Sequence, residues 1–302
     1  MSGSADPKFL VVGASGLLGG ALLARLGPAA TGTYAHNPRP ALIELDVTDS
    51  GRVGDVIEAS RPDVIIDCAA WTHVDGCEQD PERSHAVTVG GAENVARAAE
   101  RVGARMIFVS TDYVFDGRDG PYRLGAPTAP INVYGRHKLE AEGVVAAVCP
   151  NHAIVRTCNL YGYQEGGKNY SMAVFERGRA GEKILAAADQ WGNPTLADDA
   201  ANAIAVAAMS DVRGALHLAG PTYVDRLAWA QRAAAAFGVD ARGIERVATA
   251  ELGQAAKRPL KAGLDSAASC KRLGVRLRAL DDGLAAMADA MRRAGVKLGK
   301  PA

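Results

Sequence analysis

Cysteine is scarce in this chain, and none of it sits in a motif. Cys68, Cys77, Cys149, Cys158 and Cys270 are five in number and widely scattered, with no Cys-x-x-Cys pair. That spacing offers no zinc site and no redox centre, so no metal is expected, and dispersed odd thiols fit a reducing compartment. A charge excess of either sign is missing too. Lys plus Arg and Asp plus Glu stand at 34 each, so there is no net field to attract nucleic acid or an anionic membrane, and neither is expected as a partner. No apolar run approaches the ~18 residues of a membrane span, and residues 1–8 are polar, without the apolar stretch of a signal peptide. A cytoplasmic protein is expected. No internal repeat is found.

What is there is an alternation of short apolar runs and helical patterns, in a chain whose 302 residues suffice for one large domain or two modest ones. Phe9 to Val12 reads as a strand and runs directly into Gly13-x-x-Gly16-x-x-Gly19, followed by the helical run Ala21 to Leu26. Strand, glycine turn and helix follow in the order a dinucleotide-binding unit requires. Glycine permits a tight turn and close approach of backbone N–H groups to a pyrophosphate, whose charge the helix N-terminus favours. Gly13, Ser15, Gly16, Leu17, Leu18 and Gly19 are therefore candidate cofactor contacts, although a glycine triplet is also a way to pack a helix on a strand.

A second strand, Thr31 to Tyr34, ends about 20 residues beyond the glycines, where NAD-specific folds carry an Asp or Glu for the ribose. Here the residues are Tyr34, Ala35, His36 and Asn37, with Arg39 behind them. With no carboxylate to repel a 2'-phosphate, NADPH is expected ahead of NADH, and His36 and Arg39 are candidates to meet it. Leu42 to Asp46 reads as a third strand that brings Asp46 and Val47 to the adenine, and Asp46 could equally cap the next helix. Asp63 to Ala70 is a fourth strand, whose small Ala69 and Ala70 let a cofactor lie close. Pro81 to Val102 reads as one long helix.

Arg105 to Ser110 is a buried strand with Ser110 and Thr111 at its carboxyl end, the end where open α/β sheets bind ligands. A loop rich in Gly and Pro, from Asp116 to Pro130, leads to a helical pattern that opens with Tyr134 and Lys138. Four residues apart on a helix, these two side chains share a face. An ammonium near a phenol favours its ionised form and makes it a better proton donor, and a Thr111 hydroxyl could hydrogen-bond the same carbonyl oxygen. The plainer reading is an exposed tyrosine and a lysine paired with Glu142. His152 to Arg156 is a sixth strand. Beyond Thr157 the alternation weakens, and substrate recognition is expected there. A helix from Tyr170 to Arg179, a strand at Leu216 to Leu218 and helices over Asp225 to Phe237 and Asp281 to Ala294 complete the pattern.

Together these residues resemble the extended short-chain dehydrogenase/reductases, most closely the dTDP-4-dehydrorhamnose reductase family. The resemblance rests on Gly13-x-x-Gly16-x-x-Gly19, the Ala69 to Asp75 and Ser110 to Gly117 segments, Tyr134-x-x-x-Lys138, Arg156-Thr157, Gly167 to Tyr170, Gln190 to Thr195 and Arg258-Pro259. It implies a doubly wound parallel sheet over residues 1–160, a smaller C-terminal α/β substrate domain over residues 161–302 with interleaving permitted, and reduction of a 4-keto nucleotide sugar by NADPH or NADH. It further implies Tyr134 as proton donor, Lys138 on the nicotinamide ribose and tuning Tyr134, and Thr111 polarising the ketone. Asp112, Tyr113, Asn159, Asn169, Trp191 and Arg258 are the candidate substrate contacts, Arg258 for a diphosphate. Cys158-Asn159 departs from the family's Ser-Trp, which removes an aromatic expected beside the sugar, and Asp67-Cys68 and Thr88 depart as well. An epimerase or dehydratase with retained NAD, and a non-catalytic subunit like the regulatory subunit of methionine adenosyltransferase, remain as rivals. A homodimer is left open.

Overall fold

The computed structural model describes residues 7–299, so the reading of residues 1–6 falls outside the described residues. The first half runs β1 (Phe9–Val12), α1 (Leu17–Leu26), β2 (Ala30–Tyr34), β3 (Ile43–Glu44), α2 (Ser50–Ser60), β4 (Val64–Asp67), α3 (Val74–Gln79), α4 (Pro81–His85), α5 (Gly91–Val102), β5 (Arg105–Thr111), α6 (Val133–Val148) and β6 (His152–Thr157). The second half runs β7 (Leu160–Tyr161), α7 (Tyr170–Ala180), β8 (Ile184–Ala187), β9 (Trp191–Gly192), β10 (Thr195–Leu196), α8 (Ala197–Ala208), β11 (Gly214–His217), β12 (Val224–Asp225), α9 (Arg226–Phe237), β13 (Ile244–Val247), α10 (Ala267–Leu273) and α11 (Leu280–Arg293).

Seven strands form one sheet in the order β11-β6-β5-β4-β1-β2-β3, and every neighbouring pair is parallel. The chain winds outward in both directions from β1 and β4, so the crevice where a doubly wound sheet binds ligands lies at their carboxyl ends. Period-two alternation divides the strand residues between two cores. Phe9 and Val11 pack with Leu18 and Leu22 of α1 and with Ala200 and Ile204 of α8. Leu10 and Val12 face the other way, onto Val53 of α2, Val95 of α5 and Val145 of α6. A third cluster, built on Trp229, Phe175, Phe237 and Met291, fills the smaller C-terminal lobe. The lobe carries its own short strands, with β13 beside β8 and β12 beside β9. This is the expected fold class.

Three local expectations need correcting. The helix read from Pro81 to Val102 is interrupted by a π-helical stretch at Ala86–Gly90. The third strand is only two residues long, Ile43–Glu44, with Leu45 N donating to Tyr34 O at 2.8 Å just beyond it. Asp46 does not cap α2: Asp49 does, accepting from Arg52 N at 2.9 Å, while Asp46 accepts from Thr48 N and Thr48 Oγ1 at 2.9 and 2.8 Å.

Candidate active site

A cavity of about 1260 Å³ opens over the carboxyl ends of β1, β4 and β5. Small-molecule sites usually enclose ~300–1,000 Å³, so this one has room for two ligands side by side. Its walls gather the whole set of candidate cofactor contacts: Gly13, Ser15, Gly16, Leu17, Leu18 and Gly19 from the glycine turn, His36 and Arg39 after β2, Asp46 and Val47 after β3, and Ala69 and Ala70 after β4. Thr111, Asp112, Tyr113, Tyr134, Lys138, Asn159 and Asn169 line it too.

The turn fits a dinucleotide for reasons of space and polarity. Gly13 sits at φ +78°, where a Cβ would stand 3.1 Å from Ala69 N, so only glycine brings this turn against the end of β4. Gly16 caps α1 without a side-chain hydrogen bond, which leaves the first N–H groups of the helix for an anion.

At the reactive end, the Lys138 ammonium is buried. It donates to Val109 O at 2.6 Å and lies 4.0 Å from the centre of the Phe108 ring. Burial lowers its pKa to about 8, against the pull of the Asp67 and Glu142 carboxylates. Asp67 is buried in turn, and burial raises its carboxyl to about 6 despite the Ala69 N–H and Lys138. The Tyr134 ring stands edge-on to Tyr113, 5.8 Å between centroids. Its phenol is pushed well above the ordinary tyrosine value, first by burial, with the Thr111 hydroxyl pulling the other way. Burial is the largest influence on the phenol, which keeps its proton near neutrality. Thr111 Oγ1 accepts from Tyr113 N at 3.2 Å and lies 3.3 Å from Asp112 Oδ1. Burial raises Asp112 to about 6, and its other oxygen accepts from Gly263 N at 3.1 Å.

Nor does Lys138 pair with Glu142. That carboxylate is taken by Arg156 in a two-pronged contact at 2.9 and 2.6 Å and by the Ser110 hydroxyl at 2.5 Å, all of it buried. A pair so dry and so fully bonded holds β5, β6 and α6 together at the floor of the site.

On the substrate side the outcomes are mixed. Asn159 faces the cavity from a left-handed backbone position, φ +48°, and its Oδ1 accepts from Arg226 Nη2 at 2.8 Å. Asn169 lines the cavity but caps α7, accepting from Met172 N at 3.2 Å and donating to Gly162 O at 2.8 Å. Trp191 does not line the site: its ring rests on Tyr223, 5.5 Å away, because in β9 it is Gly192 that turns inward. Arg258 lines an adjoining cavity of about 420 Å³. Its guanidinium is engaged with Asp75 at 2.9 Å and with Ala256 O at 2.8 Å.

Comparison with known proteins adds a family to this geometry. The model of the RmlD substrate binding domain matches residues 7–293. The chain belongs to this family. It is 36% identical over 273 residues to a dTDP-4-dehydrorhamnose reductase of Mycobacterium tuberculosis, covering 88% of this chain and 87% of that one. The structure of a Bacillus anthracis dTDP-4-dehydrorhamnose reductase in complex with NADP superposes with a TM-score of 0.86 at 29% identity, over 94% of this chain and 99% of that one. A dTDP-glucose 4,6-dehydratase from Streptomyces venezuelae, with NAD bound, superposes at 0.80 and 21% identity over 96% and 99%, a likeness of fold alone.

Within this member of the RmlD family, several cavity residues had no signal in the sequence. Arg226, at the first position of α9, lines both cavities. Arg83 lies 4.7 Å over the Trp71 ring, and both line the larger cavity. Gln164 reaches from the loop before α7 to donate to Ser15 O at 3.2 Å, tying the C-terminal lobe to the glycine turn. A glutamine in a loop, or an arginine at a helix start, is indistinguishable in sequence from a solvated one.

Proposed function

We propose that this protein reduces the 4-keto group of a deoxysugar carried on thymidine diphosphate, with NADPH as the preferred cofactor and NADH as the lesser one. The observation that carries the reading is the convergence of Tyr134, Thr111 and Lys138 with the glycine turn in one cavity. When bound, a reduced nicotinamide supplies the hydride. Tyr134, its phenol held above the ordinary value, stays protonated and gives its phenolic proton to the oxygen of the ketone. The Thr111 hydroxyl hydrogen-bonds that oxygen as charge grows on it. Lys138, cationic below about pH 8, keeps a positive charge under the reacting centre. Residues 1–160, with β11 and α8 returned to them from the second half, form the dinucleotide-binding unit, and the remaining residues form the substrate lobe. The cytosol, which keeps scattered free thiols reduced, is the compartment we assign.

The NADPH preference is supported by His36 and Arg39 on the cavity wall and by the lack of a carboxylate from Tyr34 to Asn37. Arg39→Ala should narrow the ratio of the two dissociation constants, and equal constants in the wild type would remove the argument. A dehydratase or epimerase needs further acid–base groups beside Thr111. Asp112 is one, but it is bonded to Gly263 N and followed by Tyr113 rather than a second carboxylate. A purely regulatory subunit has no use for the assembled trio. The deciding experiment is to follow NADPH absorbance with a panel of nucleotide 4-keto sugars: turnover of a thymidine-linked 4-keto-6-deoxysugar is expected, and none with any member of the panel would defeat the reading.

A further inference from the structure

We propose that Arg226, held in place by Asn159, is the cation that receives the substrate's diphosphate, in the role that the sequence pattern assigns to Arg258. The inference rests on the nucleotide-sugar reading above. Its first support is position. Arg226 and Tyr170 line both the large cavity, which holds Tyr134 and Thr111, and the adjoining one, which runs out past Gln190, Gln254 and Leu252. A nucleotide sugar has its sugar at one end, its nucleoside at the other and two negative phosphates between. With the ketone at Tyr134 and the nucleoside in the outer cavity, the phosphates fall at the junction.

The second support is charge. Among the described residues no carboxylate comes within 4.0 Å of the Arg226 guanidinium, whose one side-chain hydrogen bond is to a neutral amide oxygen, Asn159 Oδ1. A guanidinium carries five donors in a fixed fork that suits phosphate oxygens, and most of this fork remains to be used. Arg258 is the opposite case: its charge is already matched by Asp75 at 2.9 Å, with only 9% of its side chain exposed.

The third support is preorganisation. The Arg226 backbone is clamped on both sides, its N–H donating to Gln190 O at 3.0 Å and its carbonyl accepting from Tyr170 Oη at 3.0 Å. The guanidinium carbon lies 4.7 Å from the Tyr170 ring centre and 4.9 Å from that of Trp229, a stacked setting that suits arginine and not lysine. Asn159 completes it from a left-handed conformation that asparagine tolerates better than most residues. Its own carbonyl is fixed by Thr195 N at 3.1 Å. Asn159 thus acts as a positioning residue for Arg226.

The test is calorimetric titration of the full chain, saturated with NADP, with thymidine diphosphate, thymidine monophosphate and thymidine. Arg226→Gln should weaken the diphosphate by about 10- to 100-fold, as expected for lost charge-assisted hydrogen bonds, and should leave thymidine and NADP affinity unchanged. Arg226→Lys, which keeps the charge and spares the fold, should fall between. Asn159→Ala should cost less than Arg226→Gln and should cost nothing further when added to it. Arg258→Gln should leave the ratio of diphosphate to thymidine affinity as in wild type. The proposal is overturned if both Arg226 variants keep the wild-type ratio, or if Arg258→Gln abolishes it. It is also overturned if Arg226→Gln lowers kcat/KM for the keto sugar while leaving nucleotide affinities alone, since Arg226 would then touch the sugar. Because binding is read without turnover, a wild-type protein that binds the diphosphate but reduces no keto sugar would fault the proposed reaction and leave this assignment standing.

Discussion

Tyr134 carries its proton at neutral pH, as a phenol of ordinary or raised pKa does, and owes its usefulness to what surrounds it. A phenol whose pKa is raised by desolvation is a weaker acid, and it holds its proton until a stronger base, the alkoxide developing on the ketone oxygen, takes it. Tyr134→Phe removes that proton and little else, so turnover should fall by about a hundredfold or more, since positioned acids contribute ~10²–10⁴, with NADP affinity unchanged. Wild-type turnover in the Phe variant would end the assignment. Lys138 makes a prediction in pH. Its lowered pKa of about 8 means that the cation is present below that pH and lost above it, so NADP affinity should decline as pH rises through about 8. Lys138→Met should bind more weakly at pH 7 and show no such decline; an unchanged profile in the variant would assign the decline to another group. The trio at this scale was legible because Tyr134 and Lys138 share a helical face whatever the fold. Arg226 was not, because its value comes from Asn159, Tyr170 and Trp229, which no local pattern brings beside it. Trp191 failed for the converse reason: an aromatic in a loop motif looks like a sugar platform until the strand shows which neighbour faces inward.

At the scale of elements, α6 is set against the turn after β5 with no space to spare. Gly135 lies directly over Tyr113 O, and a Cβ there would overlap that carbonyl. Gly135 N is also taken by the cap, Asn132 Oδ1, at 2.8 Å. Gly135→Ala should therefore tilt the start of α6 away from Thr111, at a cost of ~1–3 kcal/mol of stability as for other overpacked contacts. It should reduce turnover far more than cofactor affinity, because the glycine turn of α1 is untouched. A melting temperature and kcat equal to wild type would show that the contact gives way freely. The strands and most helices were legible because apolar periodicity reports burial directly. The π stretch at Ala86–Gly90 was not: a single wide turn amounts to about one inserted residue, and the apolar positions on either side still read as one helix. The interruption borders the candidate site, since Ala86 and Val87 line the large cavity, and π turns are frequent at such places.

At the scale of the whole molecule, the large parallel sheet is not built from a contiguous half of the chain. Order of elements along a sequence suggests a boundary near residue 160, and nothing in the pattern of Leu216 to Leu218 tells which sheet that strand will join. In the structure β11 closes the edge of the large sheet, with Gly214 to His217 opposite Ala153 to Arg156 of β6. Helix α8 covers α1 and the strands beneath it, so Ala200, Ile204 and Ala207 share one core with Phe9, Leu22 and Val155. Arg25 of α1 donates to Asn202 of α8 at 2.8 Å, and the buried Arg105 at the start of β5 reaches Ala207 O at 3.4 Å and also Val212 O. A fragment of residues 1–160 would therefore expose one face of α1, leave the β6 edge unpaired and leave the Arg105 guanidinium with Asn151 Oδ1 in place of its contacts to Ala207 O and Val212 O, and unpaired edges invite association. It should be aggregation-prone and should unfold without a cooperative transition. A chain that retains residues 1–220 restores β11 and α8 and should recover cooperative unfolding and measurable NADP affinity, even though it lacks most of the substrate lobe. Denaturant titration and NADP titration of the two fragments decide the matter: a 1–160 fragment that unfolds cooperatively and binds NADP as the full chain does would place the boundary where the order of elements suggests, and would reduce the return of β11 and α8 to a packing detail.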